Sequence, residues 1–240
     1  MKRQSASPCI TFLLILCLTG YNSTYAQEQP NDTITIRHKY YTTTFSKSKR
    51  FPVVVKYWLT KKMFDCGRRF KRSKRFKLDP LIPEFTNLDK DYKNSGYDRG
   101  HQMDAYDCGC DSIAMAESFY YSNIAPQLPA LNRGSWKKLE EYTRKLVKEN
   151  DSILVWSGSV TFKNRHIERV AVPDYCWKII YIKKSRIVKA YSIRNDIVTV
   201  GGLHFFEVSV DSIRNLSGFL FSVPLFKVQK YRTNASTENH

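Results

Sequence analysis

Asp98-Arg99-Gly100-His101 is the stretch on which the reading of this chain turns. A histidine titrates near neutrality and can take a proton from water. The nearby arginine can stabilise charge on a phosphate oxygen, and the glycine between them admits a close approach of backbone or substrate. Further on come Ser122-Asn123-Ile124-Ala125-Pro126-Gln127 and then Leu131-Asn132-Arg133-Gly134-Ser135-Trp136-Lys137-Lys138-Leu139-Glu140. The recurrence of Trp136, Leu139, Tyr142 and Leu146 predicts one long helix from Asn132 to about Asn150, with Asn132 as its N-cap. On such a helix Asn132, Trp136 and Glu140 share one flank, because eight residues drift by only about 80°. An amide oxygen at the helix start and a carboxylate two turns later suit a hard cation, reached directly or through its waters.

Outward from this centre the pattern is mostly strand. Tyr40 to Phe45, Phe51 to Leu59, Phe119 to Ile124, Ile153 to Ser157, Val170 to Val172, Trp177 to Ile182 and Ile187 to Ile193 are rich in β-branched and aromatic residues. Asp79 to Asn94 reads as loop, and short helical segments are expected around Phe205 and from Ser212 to Leu220. The simplest organisation is one α+β domain over residues 40–230, between an extended leader at 27–39 and a frayed tail at 231–240.

At 240 residues the chain can bury a core of its own, and 42% hydrophobic with 25% charged residues excludes collagen-like and wholly disordered classes. The net charge of +17 is the abnormal figure and points to a polyanionic partner. Seven of the ten residues from Arg68 to Lys77 are basic, with Phe70 and Phe76 interleaved. Arg68, Arg69, Lys71, Arg72, Lys74 and Arg75, together with Arg133, are therefore the candidate phosphate contacts.

Lys2 and Arg3, the apolar run Ile10 to Leu18, and Thr24-Tyr25-Ala26 compose a signal peptide over residues 1–26. An exported protein, periplasmic or extracellular, is expected, with no membrane association once that segment is cut. Of six cysteines, Cys66, Cys108, Cys110 and Cys176 then remain, and disulfides are favoured over zinc because no second close pair accompanies Cys108-Gly109-Cys110. His38, His166 and His204 read as surface or packing residues, His240 as part of the tail, and Asp104, Asp107 and Asp111 as a solvated loop.

Taken in order, Tyr97-Asp98-Arg99-Gly100-His101, then Ser122-Asn123-x-x-Pro126-Gln127, then Leu131-Asn132-x-Gly134-x-Trp136-x-x-Leu139-Glu140 resemble the DNA/RNA non-specific endonuclease family. The likeness extends over roughly residues 40–225. It implies a ββα-metal fold, with a central, mostly antiparallel sheet flanked by helices. It further implies His101 as general base, Arg99 as stabiliser of the phosphorane charge, and Asn123 as a residue orienting the site. Asn132 would be the side-chain ligand of one Mg²⁺ and Glu140 would act on that ion through water, while Asp98 braces the turn. Mn²⁺ should be tolerated at so lightly charged a site. The substrates implied are DNA and RNA. Gln102-Met103-Asp104 and Cys108-Gly109-Cys110 depart from the family pattern, which leaves the shape of the loop after His101 open. Two other readings stand beside this one: a non-catalytic basic nucleic-acid-binding protein, and a nuclease restricted to one nucleic acid. The oligomeric state is not legible.

Overall fold

The computed structural model describes residues 32–67, 69–73, 75–196 and 201–221. The proposed signal peptide, the tail at 231–240, His240, Arg68 and Lys74 lie outside the described residues. In chain order the strands and helices are β1 (Thr33–Arg37), β2 (Tyr41–Ser46), β3 (Phe51–Thr60), α1 (Lys61–Phe64), α2 (Asp89–Tyr92), β4 (Asp98–His101), α3 (Ser112–Ser118) and β5 (Ile124–Gln127). There follow α4 (Lys137–Asn150), β6 (Ser152–Val160), β7 (His166–Ile167), β8 (Val170–Ala171), β9 (Tyr175–Ile182), β10 (Ile187–Arg194), β11 (Glu207–Val208) and α5 (Val210–Ser217).

Seven strands form one antiparallel sheet in the order β1-β2-β3-β6-β9-β10-β11. Its central strands are apolar along nearly their whole length because both faces are covered. Side chains alternate across the pleat. Val55, Leu59, Val155, Ile180 and Ile182 therefore meet Leu139, Leu146 and Val147 of α4 on one side. Val54, Leu154, Trp156, Trp177 and Ile179 meet Ile213 of α5 on the other. The α+β class and its mostly antiparallel sheet are as expected.

Several boundaries differ from the sequence reading. Residues 33–37 do not form a leader outside the domain; they pair with β2 as an edge strand and place Ile34 and Ile36 against Phe45 and Ile82. The period-two alternation Thr-Ile-Thr-Ile was the signal. The expected strand at Phe119 to Ile124 is a turn over Tyr121–Asn123 leading into β5, its aromatic rings being buried by ring packing rather than by sheet. Within the expected loop at 79–94 one helical turn, α2, forms where Asp91 accepts a hydrogen bond from the Leu88 amide at 2.7 Å. Asn132 is not an N-cap. It lies inside a wide π-type turn over Leu131–Trp136 that precedes α4, with Gly134 out of helical conformation. Such widened turns insert a residue into the helical ladder and redirect side chains.

Candidate active site

β4 and β5 form a separate antiparallel pair, in the register Asp98↔Gln127, Arg99↔Pro126, Gly100↔Ala125 and His101↔Ile124. Gly100 is required by a close approach: a Cβ there would stand 2.3 Å from the Gln127 side chain. The pleat directs Arg99 and His101 to one face of β4, and both rest on Phe76, at 5.4 and 5.5 Å from its ring centre.

The pair is fastened to the start of α4 by two side chains. Trp136, fully buried, donates its indole N–H to the His101 carbonyl at 3.1 Å. Asp98 accepts from Asn132 Nδ2 at 2.9 Å and from both arms of Arg133 at 2.8 and 2.7 Å. Burial raises the Asp98 carboxyl, but the hydrogen bonds from Arg133 and Asn132 outweigh it and hold the group below the ordinary carboxylate range. Because the Asn132 NH₂ faces Asp98, its amide oxygen is turned the other way. Arg133 pairs with Asp98 while its side chain stays 71% exposed.

His101 is 5% exposed, wedged between Phe76 and the edge-on ring of Phe119 at 5.0 Å. Its Nε2 is buried without a hydrogen-bond partner among the described residues. Burial first, and the Arg72 cation second, pull its pKa from 6.5 down to about 4, so the ring is neutral at pH 7. Arg99 is locked by Tyr121 Oη at 3.0 Å and by Asp89 at 2.9 Å, with Tyr92 and Phe76 on its faces. Asn123 does not point at the site. Its amide accepts from the Met103 N–H and donates to the Met103 and Ser118 carbonyls, all at 2.9 Å, so it fixes the loop that leaves His101.

Beneath Glu140 lies a buried charge cluster that the sequence reading missed. Asp104 and Asp107 are buried, which corrects the solvated-loop expectation, and both pair with Arg144, Asp107 at 3.1 Å. Lys178, 1% exposed, sits over the Trp136 ring at 4.8 Å. Burial, and then Asp104, push the partly buried Glu140 carboxyl well above its ordinary value. A signal for Arg144 existed, since it follows Glu140 by one helical turn; so did one for Lys178, a lone cation inside the apolar run of β9. Asp111 instead caps α3, accepting from the Ile113 and Ala114 amides. His38 is a buried partner of Asp79 at 2.8 Å, and no sequence pattern announced it.

Arg69, Lys71, Arg72 and Arg75 are exposed along one edge of the site. Cys66 and Cys110 form a disulfide at the base of this run, but Cys108 and Cys176 are free and buried, which corrects the expectation of four oxidised cysteines. Each free thiol lies in the main core, where the Cys108 thiol donates to the Asp104 carbonyl and the Cys176 sulfur accepts from Gln127 Nε2 at 3.3 Å. Alkylation without reduction should therefore label Cys108 and Cys176 only after denaturation, and Cys66 and Cys110 not at all; mass spectrometry of the tryptic peptides checks this.

Among the described residues no three His, Cys, Asp or Glu side chains converge as a metal set, and no helix is long and apolar enough to cross a membrane. The chain is 33% identical over 183 residues to the mitochondrial nuclease EXOG of Danio rerio, covering 68% of this chain and 53% of that protein. It is 30% identical over 216 residues to human mitochondrial nuclease EXOG, covering 81% and 58%. It thus spans little more than half the length of these relatives. These relatives are named as mitochondrial nucleases, which overturns the expectation of export. The crystal structure of an EndoG/EndoGI complex superimposes with a TM-score of 0.71 at 28% identity, over 78% of this chain and 84% of that one. A family model for DNA/RNA non-specific endonucleases matches residues 19–226, and the chain belongs to that family.

Proposed function

We propose that the chain is a Mg²⁺-dependent endonuclease that hydrolyses phosphodiester bonds in both DNA and RNA, leaving 5′-phosphate ends. The observation that carries this reading is the neutral His101, its buried Nε2 without a partner among the described residues, held on one strand with Arg99 and bolted to the turn that carries Asn132. His101 takes the proton of the attacking water as its oxygen bonds to phosphorus, and the P–O3′ bond breaks with its electron pair leaving on the 3′ oxygen. Arg99, immobilised by Tyr121 and Asp89, binds the phosphate oxygens on which charge accumulates. Asp98 positions the Asn132 amide.

Nucleases of this fold depend on divalent cations, and the residues present fit one. Asn132 would hold Mg²⁺ through its amide oxygen, and Glu140 would do so through water. Burial pushes the Glu140 carboxyl up, and a cation held beside it would bring it down again. When bound, the ion supplies positive charge for the phosphate and the leaving oxygen. With a single neutral side-chain ligand, exchange for Mn²⁺ should be tolerated.

The His101 environment predicts a pH profile. A base must be unprotonated, so kcat/KM rises as pH rises through its pKa, and the acid limb should lie well below 6.5. Arg72→Gln removes a cation that opposes protonation, so the limb should move to higher pH. Rate profiles of the two proteins between pH 4 and 8 would show it; coincident limbs would contradict the assignment.

The reading is tested by incubating closed circular DNA, single-stranded DNA and RNA with the protein in Mg²⁺ and in excess EDTA. Cutting of all three in Mg²⁺ alone is expected. Gel retardation without cutting would instead make the chain a binding protein, and cutting of one nucleic acid only would make it a restricted nuclease.

A further inference from the structure

We infer that the cleft between the basic run and the loop after His101 seats one unpaired nucleobase, so that substrate strands are held by stacking as well as by phosphate contacts. This rests on the nuclease reading and names the form of substrate it prefers. The cleft is a cavity of about 230 Å³ whose floor is Ala105 and Met115, both buried and apolar. Two aromatic residues also line it, Phe70 from the basic run and Tyr106, which is 43% exposed. Lys71 and Arg72 also line it.

The walls are fixed. The Phe70 amide donates to the Gly109 carbonyl at 3.0 Å, joining the run to the opposite loop. The Cys66–Cys110 disulfide ties down one end of the run. At the other, Lys77 exchanges backbone hydrogen bonds with Phe119 and Tyr121, each at 3.0 Å. The Arg144 guanidinium lies 5.6 Å from the Tyr106 ring centre on its way to Asp104 and Asp107.

The cavity is one ring away from the general base. The Arg72 guanidinium lies 5.2 Å from the centre of the Phe119 ring, and that same ring packs edge-on against His101 at 5.0 Å. A free phosphate would not need the apolar floor, and an apolar molecule would not need the flanking cations. An aromatic-walled slot rimmed by cations matches the two halves of a nucleotide, its planar base and its phosphate. A base inside a duplex is paired and stacked on its neighbours, so only single strands, loops and frayed ends can present one.

The test is equilibrium binding in excess EDTA, which stops hydrolysis, of an oligothymidylate and an abasic oligomer of equal length and charge. Wild-type protein should bind the thymidylate more tightly by about fivefold or more, the effect of stacking one base. Tyr106→Ser and Phe70→Ser should narrow that ratio. In wild-type protein, oligothymidylate carrying 5-iodouracil should crosslink on irradiation to Tyr106 or Phe70. Equal affinity for the two oligomers, an unchanged ratio in folded variants, or crosslinks confined to other residues would overturn the proposal. Equal affinity accompanied by cutting of circular DNA in Mg²⁺ would remove the base seat and leave the nuclease reading standing. Base-dependent binding without cutting would do the reverse.

Discussion

His101→Ala lowers the cleavage rate by about 10²–10⁴-fold, the range for loss of a general base. The fold should survive the change. The His101 Nε2 has no hydrogen-bond partner among the described residues, and its packing partners Phe76 and Phe119 also pack on each other at 5.0 Å. Substrate binding should survive as well, because the exposed cations of the basic run are untouched. Single-turnover rates, with a melting curve to verify folding, check the prediction. A loss smaller than tenfold in a folded variant would remove His101 from the chemistry.

Arg144→Ala should destabilise the fold by about 3–5 kcal/mol, since it strands two buried carboxylates side by side. Asp104 and Asp107 both pair with Arg144, whose side chain is only 17% exposed. The sign of the pH dependence follows from Asp107. Burial, and then Asp104, raise its pKa from 3.8 to about 7, so folding takes up a proton there. The stability from that uptake is complete below 3.8 and is lost as pH rises through about 7. Without Arg144 the repulsion between the two carboxylates is larger, so the variant's deficit should be greatest above pH 7 and shrink in acid. Urea unfolding of both proteins at pH 8 and pH 5 measures it. A deficit independent of pH would show that the pair is not what Arg144 holds.

The parts of this molecule that were legible in the sequence are those written as local pattern. The apolar runs of β3, β6, β9 and β10, and the helical recurrence through Leu139 and Leu146, carry their periods openly, and the structure forms the corresponding elements. The motif residues Asp98, Arg99, His101 and Asn132 are brought together by the β4–β5 pair and the turn before α4. What stayed hidden depends on contacts between distant segments. Asp104 and Asp107 look like solvated loop residues until Arg144 arrives from α4, and His38 reads only as a surface or packing residue until Asp79 joins it. The role of Asn132 as N-cap failed for a local reason: the extra residue of the π-type turn moves the helix start and gives its amide to Asp98. The pairing of Arg133 with Asp98 was hidden as well, because that partner is a strand away. Cysteine pairing was equally out of reach, since an even count does not show that Cys108 and Cys176 point into the core.

If His101 handles the proton while Asn132 holds the metal, one titration separates the two roles. The rate of circular DNA cleavage is measured against Mg²⁺ concentration for wild type, His101→Ala and Asn132→Ala. Asn132→Ala should shift the curve to higher Mg²⁺ and regain part of its rate at excess metal, whereas His101→Ala should keep the wild-type midpoint and stay slow throughout. Equal rescue of both variants by metal, or full wild-type activity in excess EDTA, would contradict it.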